Sequence, residues 1–121
     1  MNRIANTAFR CSPRLANGEI LVPSLWIYEV SNVLLVAQRR SRISEERIQY
    51  ILETVIDFNL RIDEVVPESA LRLSRIAMRY GLTVYDAAYL DLAFRSRAPI
   101  ATKDNALLKA MQVANVDQVI P

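Results

Sequence analysis

Two hydrophobic patterns alternate along this chain, and together they predict strands separated by helices. Short apolar runs bounded by turn residues predict buried strands at residues 19–22, 60–62, 99–102 and 118–120. Apolar residues that recur every three or four positions predict helices at about 24–39, 45–58, 67–80, 83–95 and 105–113. Because strands joined by helices pair in parallel through right-handed crossovers, we expect an α/β fold with a parallel sheet flanked by helices.

Capping residues support the predicted helix ends. Ser24, Ser44 and Thr83 each stand just before a helical stretch, where a hydroxyl accepts a hydrogen bond from the first turn. Gly81 follows the third helical stretch, and glycine commonly ends a helix in the left-handed conformation.

Composition narrows the kind of chemistry this chain can perform. The 121 residues are 52% hydrophobic and 23% charged, which predicts one globular domain spanning residues 1–121. There is no histidine, so a Ser-His-Asp triad, a histidine metal site and an imidazole base are excluded within the chain. Cys11 is the single cysteine, which excludes an intrachain disulfide and a multi-cysteine zinc site and leaves it a structural or incidental thiol.

Carboxylates, hydroxyls, amines and oxygen-liganded metals remain as possible catalytic groups. The net charge of +2 does not by itself argue for nucleic-acid binding. No apolar stretch reaches the roughly 18 residues of a membrane span. We therefore expect no membrane association, and the low cysteine content fits a cytoplasmic location.

Three carboxylates lie just after a predicted strand or near the start of a predicted helix. Glu29 lies in the second turn of the helix after the first strand, Asp86 in the first turn after Thr83, and Asp104 directly after the strand at 99–102. Ligands of parallel sheets bind beyond the carboxyl ends of the strands. Acids that converge there favour a hard divalent cation, which takes oxygen ligands.

Structural roles compete with this interpretation. Asp86 stands in a capping box with Thr83, and Asp104 stands where a helix N-cap would lie. Glu29 is harder to explain in this way, because it lies beside an apolar stripe where an unpaired carboxylate is costly to bury. Asn32 is on the same helix face, three residues on, and could hydrogen-bond it.

Three segments resemble the acidic motifs of PIN-domain proteins of the VapC toxin type, and the likeness runs from about Leu15 to the C-terminus. These segments are residues 21–34 (LVPSLWIYEVSNVL), 81–90 (GLTVYDAAYL) and 100–104 (IATKD), the last followed by Leu107. The resemblance implies a PIN-like α/β fold and cleavage of RNA that depends on Mg²⁺ or Mn²⁺. It also implies inhibition by an antitoxin protein and a homodimer.

Carried over residue by residue, the resemblance assigns the metal-binding and catalytic acids to Glu29, Asp86 and Asp104. Asn32 matches a supporting position beside the first acid, and Thr102 matches a polar position before the last. Asp91 stands where relatives often carry another acid on the same helix, which makes it a further supporting candidate.

One part of the family pattern is missing. Family members begin with a central strand that ends in an aspartate, whereas residues 1–13 contain no acidic residue. We therefore expect a PIN-like sheet whose first, central strand is missing or replaced, in a domain that is N-terminally truncated relative to the family. A truncated reading of a longer gene, a substitute strand from residues 1–9 and a strand from a neighbouring chain all fit.

Two functions follow from this pattern. The first is a metal-dependent endoribonuclease, the toxin of a toxin–antitoxin pair. The alternative is a catalytically inactive PIN-like module that acts by binding an antitoxin or its own copy, with its acids serving as helix caps.

Overall fold

The protein combines helices with a pair of parallel strands, which confirms the predicted α/β class. The structure is a computed structural model that describes residues 20–58, 60–102 and 104–118. The elements in chain order are β1 (Ile20–Pro23), α1 (Leu25–Arg39), α2 (Glu45–Ile56), β2 (Leu60–Asp63), α3 (Ser69–Tyr80), α4 (Val84–Ser96) and α5 (Asn105–Ala114). In the described ranges no helix is long and apolar enough to cross a membrane.

The two strands pair in parallel, as the crossover through α1 and α2 requires. Ile20 lies opposite Leu60, and Pro23 lies opposite Asp63. The Ser24 N–H then donates to the Asp63 carbonyl oxygen at 3.1 Å, so the carboxyl ends of both strands are held together where α1 begins.

The strand predicted at 99–102 is shorter than expected, and of the strand predicted at 118–120 only Gln118 lies in the described ranges. These two stretches form a single parallel bridge between Ile100 and Gln118, with the Ile100 N–H donating to the Asp117 carbonyl oxygen at 3.0 Å. Within the described ranges no ladder joins this bridge to β1, which is consistent with a sheet that lacks its central strand. Residues 1–19, to which the expectations for a substitute strand and for Cys11 refer, lie outside those ranges, as do residues 119 and 120.

Apolar faces of α1, α4 and α5 meet over β1 and form the core. On α1 the buried residues Trp26, Val30 and Leu34 recur every four positions, as the helical period predicted. The core cluster comprises Val22, Trp26, Val30, Leu34, Tyr89, Leu90, Ala93, Ile100, Leu107, Ala110 and Met111. Each large side chain buried in this way stabilises the fold by roughly 1.5–3 kcal/mol.

Helix α4 lies at the centre of the molecule. It packs against α3 and β1 and contacts α5. Its buried residues are Asp86, Ala87, Tyr89, Leu90, Asp91, Leu92 and Ala93, so they cover far more than one face of the helix. Because polar groups are costly to bury without partners, the polar residues of α4 need specific contacts.

Two of the three predicted hydroxyl caps are confirmed. The Ser44 hydroxyl accepts from the Arg47 N–H at 3.2 Å, and the Thr83 hydroxyl accepts from the Asp86 N–H at 3.1 Å. The predicted Ser24 cap is wrong. Ser24 already has helical dihedrals (φ −56°, ψ −30°) and makes no capping bond with its side chain, because a capping hydroxyl needs an extended residue.

Gly81 ends α3 in the left-handed conformation with φ +65°, as predicted, and nothing within 4 Å would obstruct an added Cβ. We expect Gly81→Ala to lower the free energy of unfolding by about 1–2 kcal/mol, because an L-residue is strained at this φ. Urea denaturation measures this change. Gly81→Asn is the matched control and should lose less, since asparagine tolerates this region. Equal stability of the alanine variant and the wild type would contradict the argument.

Candidate active site

Glu29 is a buried carboxylate held beside the carboxyl ends of the strands. β1 passes into α1 almost directly after Pro23, which brings the second turn of α1 to this edge. In the sequence Glu29 stands between Trp26 and Val30, which both belong to the core. Glu29 itself is only 5% exposed. Burial at this position follows from the apolar stripe of α1, as expected.

A tyrosine from the central helix is the hydrogen-bond partner of Glu29. The Tyr89 hydroxyl donates to Glu29 Oε1 in a short hydrogen bond that connects α4 to α1. Asn32, which the helix spacing offered as a partner, is exposed and makes no such bond. The prediction therefore chose the correct acid but missed its partner.

Asp86 is the second acid that the structure brings to this place. It lies in the first turn of α4 and is 4% exposed. Burial raises the pKa of Glu29 above its usual value of 4.5, the hydrogen bond from Tyr89 opposes that rise, and the negative charge of Asp86 adds to it. Two acids from distant parts of the chain are thus close enough for the charge of Asp86 to act on Glu29.

Asp104 serves as the N-cap of α5. Its Oδ1 accepts from the Leu107 N–H at 3.0 Å, so the capping interpretation of this residue is correct. Thr102 supports it, because the Thr102 hydroxyl accepts from the Asp104 N–H at 3.1 Å. Both residues are buried. Gln118 adds a side-chain bond to the Thr102 carbonyl oxygen at 3.3 Å and so ties this turn to the Ile100 bridge.

The described ranges contain no group of three or more His, Cys, Asp or Glu residues that could hold a metal ion. What the structure brings together is the pair Glu29 and Asp86. Hard cations prefer carboxylate oxygens, and Mg²⁺ usually takes one or two carboxylates with waters completing its shell. The donor set of this pair therefore fits Mg²⁺, while Asp104 as a third ligand stays a prediction.

An open concavity of about 490 Å³ gives access to Glu29. It is lined by Leu25, Tyr28, Glu29, Ser31, Asn32 and Leu35, so the predicted supporting residue Asn32 shares a surface with the first acid. Tyr28 is largely exposed here. The concavity brings polar and aromatic groups of α1 to the solvent side of the buried carboxylate.

Asp91, the third supporting candidate, belongs to an ion-pair network. Its carboxylate accepts from Arg72 Nε at 2.6 Å and from Arg95 Nε at 3.0 Å. Arg95 also donates to both carboxylate oxygens of Asp63 at the end of β2, and this contact raises the pKa of Arg95. The network fastens α3, α4 and β2 to one another, which is a structural role.

Sequence reasoning missed Tyr89 and the two arginines. Tyr89 follows Asp86 by three residues, so both lie on one face of α4. That spacing from Asp86 could have indicated that Tyr89 lies near the candidate acids, although its partner is Glu29. Arg95 follows Asp91 by four residues on the same helix, so its ion pair could have been found from the sequence. Arg72 gave no comparable signal, since it is nineteen residues from Asp91 along the chain.

Comparison with known proteins agrees with this fold. Residues 5–112 match the model of the PIN domain, and the chain belongs to the PIN-domain family. It is 31% identical over 90 residues to Ribonuclease VapC3 of Pyrobaculum aerophilum, an alignment that covers 74% of this chain and 69% of that protein. The chain is accordingly a VapC-type PIN domain.

The raised pKa of Glu29 predicts a pH-dependent stability. In the absence of a metal, the Glu29 carboxyl loses its proton near pH 4.5 in the unfolded chain. In the folded protein the same carboxyl keeps its proton to higher pH. Stability therefore falls as pH rises through this window and stays lower above it. We expect Glu29→Gln, which keeps an acceptor for Tyr89, to melt at a higher temperature than the wild type at pH 7.

Thermal melts in metal-free buffer from pH 4 to pH 8 would check this expectation. The advantage of Glu29→Gln should shrink as pH falls toward 4.5, the ordinary value for this carboxyl. Glu64→Gln, at an exposed glutamate, is the control and should show no such trend. A Glu29→Gln variant that is less stable at every pH would show that the ionised carboxylate stabilises the fold.

The network around Asp91 predicts a second stability effect. Asp91→Asn should lower the free energy of unfolding by about 1.5–3 kcal/mol, because it removes charge-assisted hydrogen bonds from a buried acceptor. The arginine side chains are 44% and 38% exposed, so water limits the loss. Asp57→Asn, at an exposed aspartate, should lose nothing in the same urea titration. Similar losses in both variants would argue against the network.

Proposed function

We propose that this protein is a metal-dependent endoribonuclease and the toxin component of a toxin–antitoxin pair. The single observation that supports the proposal is that Glu29 and Asp86, two buried acids from different helices, lie close enough for the charge of Asp86 to raise the pKa of Glu29. Burying two like charges together is unfavourable for the fold alone, and a shared cation offsets that cost. Membership of the PIN-domain family and the similarity to VapC3 support the reaction class.

In this proposal Glu29, Asp86 and Asp104 hold Mg²⁺ or Mn²⁺. A divalent ion bound there supplies an activated water and neutralises charge on the phosphodiester. The protein contributes fixed carboxylate oxygens, because Glu29 and Asp86 are set by helices in the core and Asp104 by its cap. Thr102 holds the Asp104 backbone, and Asn32 offers an exposed amide in the concavity beside Glu29.

Asp91 supports this site indirectly, by fixing the helix that carries Asp86. Its pairs with Arg72 and Arg95 fix the face of α4 that lies on α3, and the same helix carries Asp86. The partners we propose are an RNA substrate, an antitoxin protein and a second copy of the chain, acting in the cytoplasm.

A catalytically inactive binding module is the second candidate function. It is favoured by one observation, that Asp104 already serves as a helix cap while the described ranges hold no three-acid metal group. In that case the protein acts through an antitoxin or its own copy, and no divalent ion binds.

Titration calorimetry with Mn²⁺ and cleavage of a labelled RNA distinguish the two candidates. The wild type should bind Mn²⁺ and cleave only when the metal is present. Glu29→Gln and Asp86→Asn should each lower Mn²⁺ affinity at least 10-fold and abolish detectable cleavage, because each removes a charged ligand while preserving the size of the side chain.

Asp104→Asn separates capping from metal binding. Asparagine caps helices about as well as aspartate, so the fold should keep its stability. Loss of Mn²⁺ binding in this variant would identify Asp104 as a ligand, whereas unchanged binding would restrict Asp104 to the cap. A folded wild type that binds no Mn²⁺, or cleavage that persists in chelator, would contradict the nuclease proposal.

A further inference from the structure

We infer that Tyr89 is a positioning residue for Glu29, an inference that rests on the proposed function. Its hydroxyl holds one carboxylate oxygen of Glu29 so that the other is presented to a divalent cation. Among the contacts of the described ranges, Tyr89 donates to Oε1, and Oε2 accepts no hydrogen bond. The two oxygens of Glu29 are therefore not equivalent.

Solvent reaches the second oxygen. Every fully buried side-chain oxygen or nitrogen in the described ranges has a hydrogen-bond partner. Since Oε2 has none, it must retain some contact with water. Glu29 also lines the open concavity of α1. One oxygen is thus held by Tyr89, whereas the other has no hydrogen-bond partner in the described ranges.

The ring of Tyr89 has little freedom to move. The residue is fully buried and packs in the core cluster with Val22, Trp26 and Ile100. A tyrosine has two side-chain torsions, and a ring enclosed in this way fixes the direction of its hydroxyl. The position of Glu29 Oε1 is therefore determined by the core and not by solvent.

Tyr89 also couples the two acids. It lies one turn after Asp86 on α4, so the helix that carries one acid also anchors the other. The bond from a phenol to an ionised carboxylate is charge-assisted and stronger than a bond between neutral groups. A tyrosine that served only to fill the core would not need its hydroxyl at this point.

Tyr89→Phe tests the inference because it removes the hydroxyl and keeps the ring. We expect the affinity for Mn²⁺, measured by titration calorimetry on folded protein, to fall 10-fold to 100-fold, the usual effect of losing a group that orients a metal ligand. RNA cleavage should need correspondingly more Mn²⁺ but approach the wild-type kcat at saturation. Tyr80→Phe, on α3 where the ring packs against Phe94, is the control and should bind Mn²⁺ like the wild type.

The outcomes separate this inference from the proposed function. If the wild type binds Mn²⁺ and Tyr89→Phe binds it equally, Tyr89 is a core residue only and the nuclease proposal stands. If the wild type binds no Mn²⁺, the proposed function fails and the inference fails with it. A loss of thermal stability without a change in Mn²⁺ affinity would also overturn the positioning role.

A second measurement applies if Tyr89→Phe does not fold. Fluorotyrosine placed at position 89 keeps both ring and hydroxyl, and its ¹⁹F resonance reports on the environment of the phenol. We expect this resonance to shift on titration with Mg²⁺, with the same Kd as calorimetry with Mg²⁺ gives. A resonance that does not move while Mg²⁺ binds would overturn the inference.

Discussion

The burial of helix α4 is the constraint on which the rest of this structure depends. Most of its residues from Asp86 to Ala93 are removed from water, including two carboxylates and a phenol. Polar groups in such a place require partners from neighbouring elements. Those partners fix how the other elements are arranged: Tyr89 reaches Glu29 on α1, and Asp91 reaches Arg72 on α3. The helix that forms the core is therefore also the one that organises the acids.

The buried acids near the two ends of α4 have different electrostatic surroundings. Near its middle and C-terminal end, Asp91 is neutralised by Arg72 and Arg95, and Arg95 extends the network to Asp63. At its N-terminal end, burial and the charge of Asp86 raise the pKa of Glu29, and the hydrogen bond from Tyr89 opposes that rise. Opposite charges thus stabilise the fold around Asp91, whereas the like charges of Glu29 and Asp86 repel each other. Such repulsion is typical of sites that bind or transform a ligand.

Local sequence signals predicted the helices well and the sheet less well. The boundaries of α1 and α5 follow from apolar period and capping chemistry, both of which act within a few residues. Ser24 shows the limit of that reasoning, because its backbone conformation is set by the close passage from β1 into α1 and by its bond to Asp63. The stretch around Ile100 has the hydrophobic pattern of a strand, yet how far it extends as a strand depends on the segment that pairs with it.

The sequence by itself determined the available chemistry. Without histidine and with one cysteine, carboxylates were among the remaining catalytic groups, and the resemblance to the family motifs selected Glu29, Asp86 and Asp104. Only the tertiary structure decided which acids meet, that Tyr89 holds Glu29, and that Asp91 is paired with arginines. The physical reason is that motifs and periodicity describe one segment at a time. The bonds from Tyr89 to Glu29 and from Arg72 to Asp91 join α4 to α1 and α3 across long separations in the chain.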